Sequence, residues 1–308
     1  MEGNARWVAV TAVAPVAWGA NYYVTHEYLP ADHPLYGAAL RALPAGLLLL
    51  LLCRRLPRGV WWWRSAVLGL LNVGAFFVLV YAASQLLPVS VAATVMAASP
   101  PVMMLMAWAL VSERPGAAHL AGAAAGLVGV GLMVLAPGGG ADPAGVLASV
   151  AAMAVSSFGY VLAKRWSGDA DVLASTAWQL TAGGLVLLPL AVALEGRPPA
   201  LGASALLAFA FVALVATALA FVAWFAGLRH LPAGTVGLVG LLNPVTGVLL
   251  GTVVAGERPA AAQLCGLALV LLAVVLGRPA PGRARTPDAA PGEALTARVR
   301  PPPADRHG

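Results

Sequence analysis

Residues 81–115 read YAASQLLPVSVAATVMAASPPVMMLMAWALVSERP, and 144 positions later residues 225–259 read FAGLRHLPAGTVGLVGLLNPVTGVLLGTVVAGERP. Without a gap, Leu87-Pro88 falls on Leu231-Pro232, Val95 on Val239 and Ser99-Pro100 on Asn243-Pro244. Glu113-Arg114-Pro115 falls on Glu257-Arg258-Pro259, and Gly122 then meets Gly266. Composition alone makes Ala- and Leu-rich stretches look alike, but it does not place two proline pairs and a Glu-Arg-Pro at one offset. The chain reads as a duplication. Upstream the two copies match more loosely, Phe158-Gly159 against Trp18-Gly19 and Trp178-Gln179 against Leu40-Arg41.

Each copy contains an uncharged run, 88–111 and 232–254, long enough to cross hydrocarbon, which takes about 20 residues. Similar runs occupy approximately 7–25, 34–53, 64–85, 118–136, 143–164, 171–194, 202–228 and 260–277. None alternates with the period of two that a membrane barrel strand requires, so helices are the form that satisfies their own backbone in lipid. The first run has a weak basic start, no small-residue cleavage site, and Trp18, Asn21 and Tyr22 in its interior, so it reads as a helix and not as a signal peptide. Gly and Pro mark the joints, as in Leu29-Pro30 to Pro34, Ala136-Pro137-Gly138 and Arg197-Pro198-Pro199. Composition agrees: 60% of residues are hydrophobic, 10% are charged and the mean hydropathy is +0.85. Soluble domains carry about 25% charged residues. The expected fold class is an all-α polytopic membrane protein of ten transmembrane helices.

Five spans per copy is an odd number, so the second copy enters the membrane upside down. The expected organisation is two inverted five-helix repeats, residues 1–136 and 143–277, followed by a disordered, basic, Pro- and Ala-rich tail at 278–308. With the N-terminus inside, all but three of the 18 Lys and Arg fall on the inner side or in the tail. The exceptions are Arg41, Arg197 and Arg258. That asymmetry predicts cytoplasmic N- and C-termini in an inner or plasma membrane. The formal charge of +6 therefore records topology, and no nucleic-acid partner is expected. Trp61-Trp62-Trp63 beside Arg64 fits an interfacial belt at the inner face.

The polar residues inside the spans are few. Pro244 removes the helix bond to Gly240, and Pro100 and Pro101 do the same for Met96 and Ala97, so carbonyls are expected to open at membrane depth. Asn243 and Ser99 flank those kinks. Trp18, Asn21 and Thr25 share a helix face, with Tyr22 adjacent. Arg41 is the basic residue placed well inside a span, about 10 Å from its outer end. It reads either as a snorkelling side chain or as a dock or gate for a substrate carboxylate. Its loose repeat mate, Gln179, is polar but uncharged. No Asp or Glu lies at mid-span, Glu27, Glu113 and Glu257 coming nearest, so a carboxylate proton relay is not expected. His26 is the histidine closest to a path. Gly122-x-x-x-Gly126 and Gly247-x-x-x-Gly251 permit close helix approach.

Trp18-Gly19-Ala20-Asn21-Tyr22, Arg41, and the paired Ser/Asn-Pro helices ending in Glu-Arg-Pro resemble the EamA family of the drug/metabolite transporter superfamily over approximately residues 7–277. The resemblance implies a ten-helix basket around a central cavity, alternating access, and export of amino acids or related metabolites. Candidate substrate-binding residues are Trp18, Asn21, Tyr22, Arg41, Ser99, Pro100, Trp178, Gln179, Asn243 and Pro244. The expected partners are a small-molecule substrate and the lipid bilayer, without cofactor or metal. Cys53 and Cys265 have neither metal nor redox spacing. A lipid flippase or scramblase is the alternative, because a polar path between helices looks similar in sequence. An intramembrane enzyme is disfavoured, since no span carries a metal-ligand set or a Ser/His pair.

Overall fold

Apolar length decides which segments become helices, and the joints fall where Pro, Gly and charge interrupt it. The computed structural model describes residues 2–87, 96, 99–134, 142–168, 170–254 and 261–276. The tail, the first part of the 88–111 span with Pro88 and Ala97, and Glu257-Arg258-Pro259 lie outside the described residues. Every described element is helical: α1 (Glu2–Tyr28), α2 (Pro34–Cys53), α3 (Trp61–Leu86), α4 (Ser99–Val111), α5 (Ala117–Val134) and α6 (Pro143–Trp166). These are followed by α7 (Val172–Leu194), α8 (Ala203–His230), α9 (Ala233–Val239), α10 (Leu242–Val253) and α11 (Ala261–Leu276). Five of them, α2, α3, α6, α7 and α8, are long and apolar enough to cross a membrane, and α4 and parts of α5 and α11 are shorter apolar helices. At 27 residues α1 has the length, but Asn21, Tyr22 and Tyr23 interrupt its apolar run.

The burial pattern is that of a protein dissolved in lipid. Leu51, Leu52, Leu185, Leu194, Leu207 and Val253 face outward. Asn21, Arg41, Asn72, Gln179, Thr217 and Asn243 are buried. Hydrocarbon accepts the first group and penalises the second unless it finds partners inside.

One local geometry recurs. Within α3 a π-helical turn occupies Leu70–Ala75, and within α8 another occupies Leu214–Leu219, again 144 residues apart. Both helices then run for 11 more residues and end on an extended Leu, Leu87 and Leu231. The sequence match of these segments begins at Tyr81, so the structure carries the equivalence upstream. A π turn widens the helix and frees a carbonyl from its usual partner.

The seam of α2 with α7 is tight, and its contact is reciprocal. A Cβ on Gly46 would lie 2.5 Å from the Thr181 backbone nitrogen, and one on Gly184 would lie 2.9 Å from the Leu43 backbone. Gly46 stands to Thr181 as Gly184 stands to Leu43, because both glycines and both partners are related by the offset that joins Arg41 to Gln179. Small residues let two backbones approach this closely. Gly122 and Gly126 serve α5 in the same way, against Ala273 of α11 and against Leu238 and Leu241. Their partners are therefore within the chain.

Helix starts are closed by carboxylates. Asp142 accepts from Ala144 N–H at 2.8 Å and Asp171 from Ala174 N–H at 3.4 Å. The start of α2 borrows its cap: Glu195, just past α7, accepts from Leu35 and Tyr36 N–H at 2.6 and 2.9 Å. Each satisfies donors that a helix start leaves open.

The seam makes a clear mutational contrast. Gly46→Ala and Gly184→Ala each force a methyl against backbone, and should lower stability by about 1–3 kcal/mol. Gly131→Ala meets no atom within 4 Å and should be neutral or stabilising by up to about 1 kcal/mol. Reversible unfolding of the purified protein in mixed micelles measures all three.

Candidate functional site

Glycine at position 19 brings α1 onto α10. A Cβ there would lie 2.6 Å from the Asn243 carbonyl, so only a bare backbone allows the crossing. The crossing sets Trp18, Asn21 and Tyr22 of α1 beside Asn243. Arg41 from α2, Ser99 from α4, and Ser156, Ser157 and Tyr160 from α6 complete a central cavity with Trp224 of α8. Its volume is about 40 Å³, room for roughly two or three waters. Admitting an organic solute therefore requires the surrounding helices to part.

The cavity gathers six of the ten residues expected at the site: Trp18, Asn21, Tyr22, Arg41, Ser99 and Asn243. Pro100 stands behind it, packed on Gly237, and Pro244 is buried beside Asn243 without lining it. Trp178 and Gln179 are elsewhere. Trp178 donates its Nε1–H to the Arg55 carbonyl at 2.6 Å, and Gln179 Oε1 accepts from Asn72 Nδ2 at 2.9 Å. His26 is also away from the cavity, its ring bonded to the Ser84 carbonyl at 3.1 Å.

The Gly240 carbonyl does not stand open as the proline rule predicts. The helix breaks instead, α9 ending at Val239 and α10 starting at Leu242, and the Asn243 N–H turns back to Gly240 O at 3.0 Å. Proline's missing donor is replaced by the next N–H up the chain. Met96 reaches the cavity wall, whereas Ala97 lies outside the described residues.

Arg41 is turned inward, with 6% of its surface exposed, and does not snorkel. Its Nε donates to Thr217 Oγ1 at 2.7 Å and its Nη2 to the Ala216 carbonyl at 3.3 Å. The guanidinium lies over the Phe77 ring at 4.0 Å, a cation–π contact. Ala216 and Thr217 belong to the π turn of α8, so the widened turn supplies the acceptors that a buried cation needs. Trp18 donates its Nε1–H to the same Ala216 carbonyl at 3.0 Å. On the other side of the fold Asn72, in the π turn of α3, bonds Gln179. Arg41 and Gln179 thus play matching parts, each crossing to a π turn.

Among the described residues no carboxylate pairs with Arg41. Two of its N–H groups are used, and the other three make no bond to the described residues. Around it, Asn21 Oδ1, Asn243 Oδ1, Ser157 Oγ, Tyr160 OH and Trp224 Nε1 are buried without a hydrogen-bond partner among the described residues. Buried polar atoms in native proteins are nearly always satisfied. Five such atoms cluster around this one cavity. Aromatic rings close it: Trp18 lies 5.0 Å from Trp224 and 6.4 Å from Tyr160, and Tyr160 lies 5.5 Å from Trp224.

Sequence reasoning missed Ser156, Ser157, Tyr160 and Trp224. A signal was present. Ser156, Ser157 and Tyr160 share a helix face, and they sit beside Phe158-Gly159, the pair that matches Trp18-Gly19.

At one end of the bundle a second polar cluster joins four helices. Lys164, at the end of α6, lies 2.6 Å from Glu113, just past α4, and donates to the Leu231 carbonyl at 2.7 Å. The second Glu113 oxygen accepts from Ala233 N–H at 2.9 Å, where α9 begins.

The sequence model of the EamA-like transporter family matches the chain twice, at residues 5–135 and 143–277. The chain belongs to the EamA-like transporter family. It is similar to the protein PecM of Dickeya dadantii, 36% identical over 265 residues that cover 85% of this chain and 89% of PecM. It is also similar to YedA of Escherichia coli, an uncharacterized inner membrane transporter, 30% identical over 269 residues that cover 85% of this chain and 87% of YedA. A crystal structure superposes with a TM-score of 0.70 over 88% of this chain and 96% of that one, at 22% identity, which shows a shared fold. With these relatives and its apolar helices, this EamA-like chain is a multi-pass membrane protein of a transporter family.

The Arg41–Thr217 bond is open to a double-mutant cycle. Thr217→Val and Arg41→Met should show a coupling energy of about 1 kcal/mol or more, as expected for a hydrogen bond to a charged group. Additive losses in the unfolding free energy would mean that the 2.7 Å contact contributes nothing.

Proposed function

We propose that this chain is a secondary carrier that moves a small carboxylate-bearing metabolite, most simply an amino acid, outward across the inner or plasma membrane. The observation that carries the reading is Arg41: a buried cation with unused donors and no carboxylate partner among the described residues, facing amide oxygens that also lack partners. A substrate carboxylate suits the guanidinium, whose planar fork matches it. A substrate ammonium suits Asn21 Oδ1 and Asn243 Oδ1, with the faces of Trp18 and Trp224 nearby. A zwitterion answers both needs at once.

In this reading ten helices form two inverted five-helix repeats, with both termini cytoplasmic. The repeated π turns, the reciprocal α2–α7 seam and the two family matches support it. Access alternates as helices around the closed cavity part on one side and then the other. The Glu113–Lys164 cluster, holding α4, α6 and the α8–α9 joint together, is the inner latch.

Counterflow in proteoliposomes, with a preloaded amino-acid pool and labelled tracer outside, tests this. Saturable, competable uptake is expected. Arg41→Ala and Asn243→Ala should each reduce it at least about tenfold, the loss that follows from removing one charge-assisted hydrogen bond. Uptake indifferent to both substitutions would leave a carrier and remove this site from it. No uptake with any member of the pool would end the amino-acid reading, and lipid movement in the same vesicles would be measured next. Lys164→Gln, by releasing the latch, should alter the exchange rate while tracer affinity stays within about threefold of wild type.

A further inference from the structure

A second cavity lies where α2 and α6 end and α3 and α7 begin. At about 1090 Å³ it is a broad, open basin. Arg54, Arg55, Arg58 and Arg64 line it, and Asp171 is the carboxylate among the described lining residues. That acid is already engaged by the start of its own helix, at Ala174 N–H. Among the described residues none of the four arginines has a carboxylate within salt-bridge distance. Among the described residues the basin therefore carries an excess of positive charge.

Its walls are indoles. Trp61 packs on Trp178 at 5.5 Å, and Trp178 is fixed by its bond to the Arg55 carbonyl. The Arg64 guanidinium sits 5.8 Å from Trp61 and Trp63 and 5.5 Å from Trp166, and its buried Nε has no partner among the described residues. The backbone between α2 and α3 is bent to suit: Arg54 and Gly59 both adopt left-handed conformations, with φ of 50° and 53°. Arg54 takes this up as the C-cap of α2, its N–H bonded to Leu50 O at 2.8 Å. In the last turn of α2 and in this loop, Leu51, Leu52 and Leu56 are left exposed at 72%, 64% and 63%.

We propose that this basin binds the phosphate headgroup of an anionic phospholipid, with the acyl chains lying along Leu51, Leu52 and Leu56. Three features meet there that a free anion would not require together: four guanidinium groups without a carboxylate partner among the described residues, a rim of tryptophans of the kind that settles at headgroup level, and exposed leucines leading into hydrocarbon. The starts of α3 and α7 at the basin add the positive ends of two helix dipoles. Residues 278–308 are not a plausible occupant, since their six arginines outnumber Asp288, Glu293 and Asp305. On the orientation proposed above, the basin meets the cytoplasmic leaflet. A headgroup held there ties the end of α2 to the start of α7, the two helices of the reciprocal seam.

Native mass spectrometry of the full chain in mild detergent tests the proposal without any transport assay. Phosphatidylglycerol, phosphatidylcholine and inorganic phosphate are titrated in separate arms. Phosphatidylglycerol adducts should persist at a concentration at least tenfold lower than phosphatidylcholine adducts. Arg55→Gln with Arg58→Gln should abolish that preference, and Arg298→Gln with Arg300→Gln, two tail arginines, should keep it. Trp62, 61% exposed, gives a second variant whose fold is not at stake, and Trp62→Ala should weaken the phosphatidylglycerol adduct at least threefold. Equal retention of the two lipids, or an unchanged preference in the Arg55/Arg58 variant, overturns the proposal. Displacement of phosphatidylglycerol by equimolar inorganic phosphate overturns it too, in favour of a free-anion site.

Discussion

A carbonyl opened inside hydrocarbon must be given a donor, and much of this fold follows from that rule. The π turns at Leu70–Ala75 and Leu214–Leu219 widen α3 and α8 where lipid offers no water. In α8 the donors are Arg41 of α2 and Trp18 of α1. In α3 the widened turn presents Asn72, which bonds Gln179 of α7. To reach across, α2 and α7 must run close to the turns they serve and to one another. Glycines at 46, 69, 183 and 184 remove the side chains that would hold them apart. The seam and the cavity are two sides of one requirement.

The same economy of charge shapes both ends of the bundle. Few acidic residues are present, and several are set on helix starts. Glu195 closes α2, Asp142 closes α6, Asp171 closes α7, and Glu113 closes α9 while holding Lys164. The cavity is left with a cation and no counter-charge among the described residues. Its electrostatic character comes from which carboxylates have been used elsewhere as much as from Arg41 itself.

Much of this was legible in the sequence. Hydropathy locates the long helices, since crossing a bilayer takes about 20 apolar residues, and Pro and Gly signals mark several of their ends. Trp18, Asn21, Arg41, Ser99 and Asn243 stand out because polar residues inside apolar runs are costly and few. The rest depends on partners that one-dimensional patterns do not name. Nothing in the spacing around Leu70 or Leu214 announces a π turn, since a single Asn72 or Thr217 in an apolar run does not specify how the helix winds. Gln179 looks like a cavity residue by its kinship to Arg41, yet Asn72, on a helix far away in sequence, takes it. Pro244 correctly predicts a disrupted helix, but the local remedy, a bond from the Asn243 N–H to Gly240 O, depends on how the freed chain end turns.

The carbonyl of Ala216 holds two donors from two different helices. For α8 to regain regular α-helical winding there, it would have to shed both the Trp18 indole and the Arg41 guanidinium in one step. Removing either contact alone leaves the other still pinning the turn. Through that one oxygen α1, α2 and the middle of α8 are tied to one another. The break at Gly240–Leu241 carries no such tie: there the chain leaves helical winding between α9 and α10 and closes on itself through the Asn243 N–H.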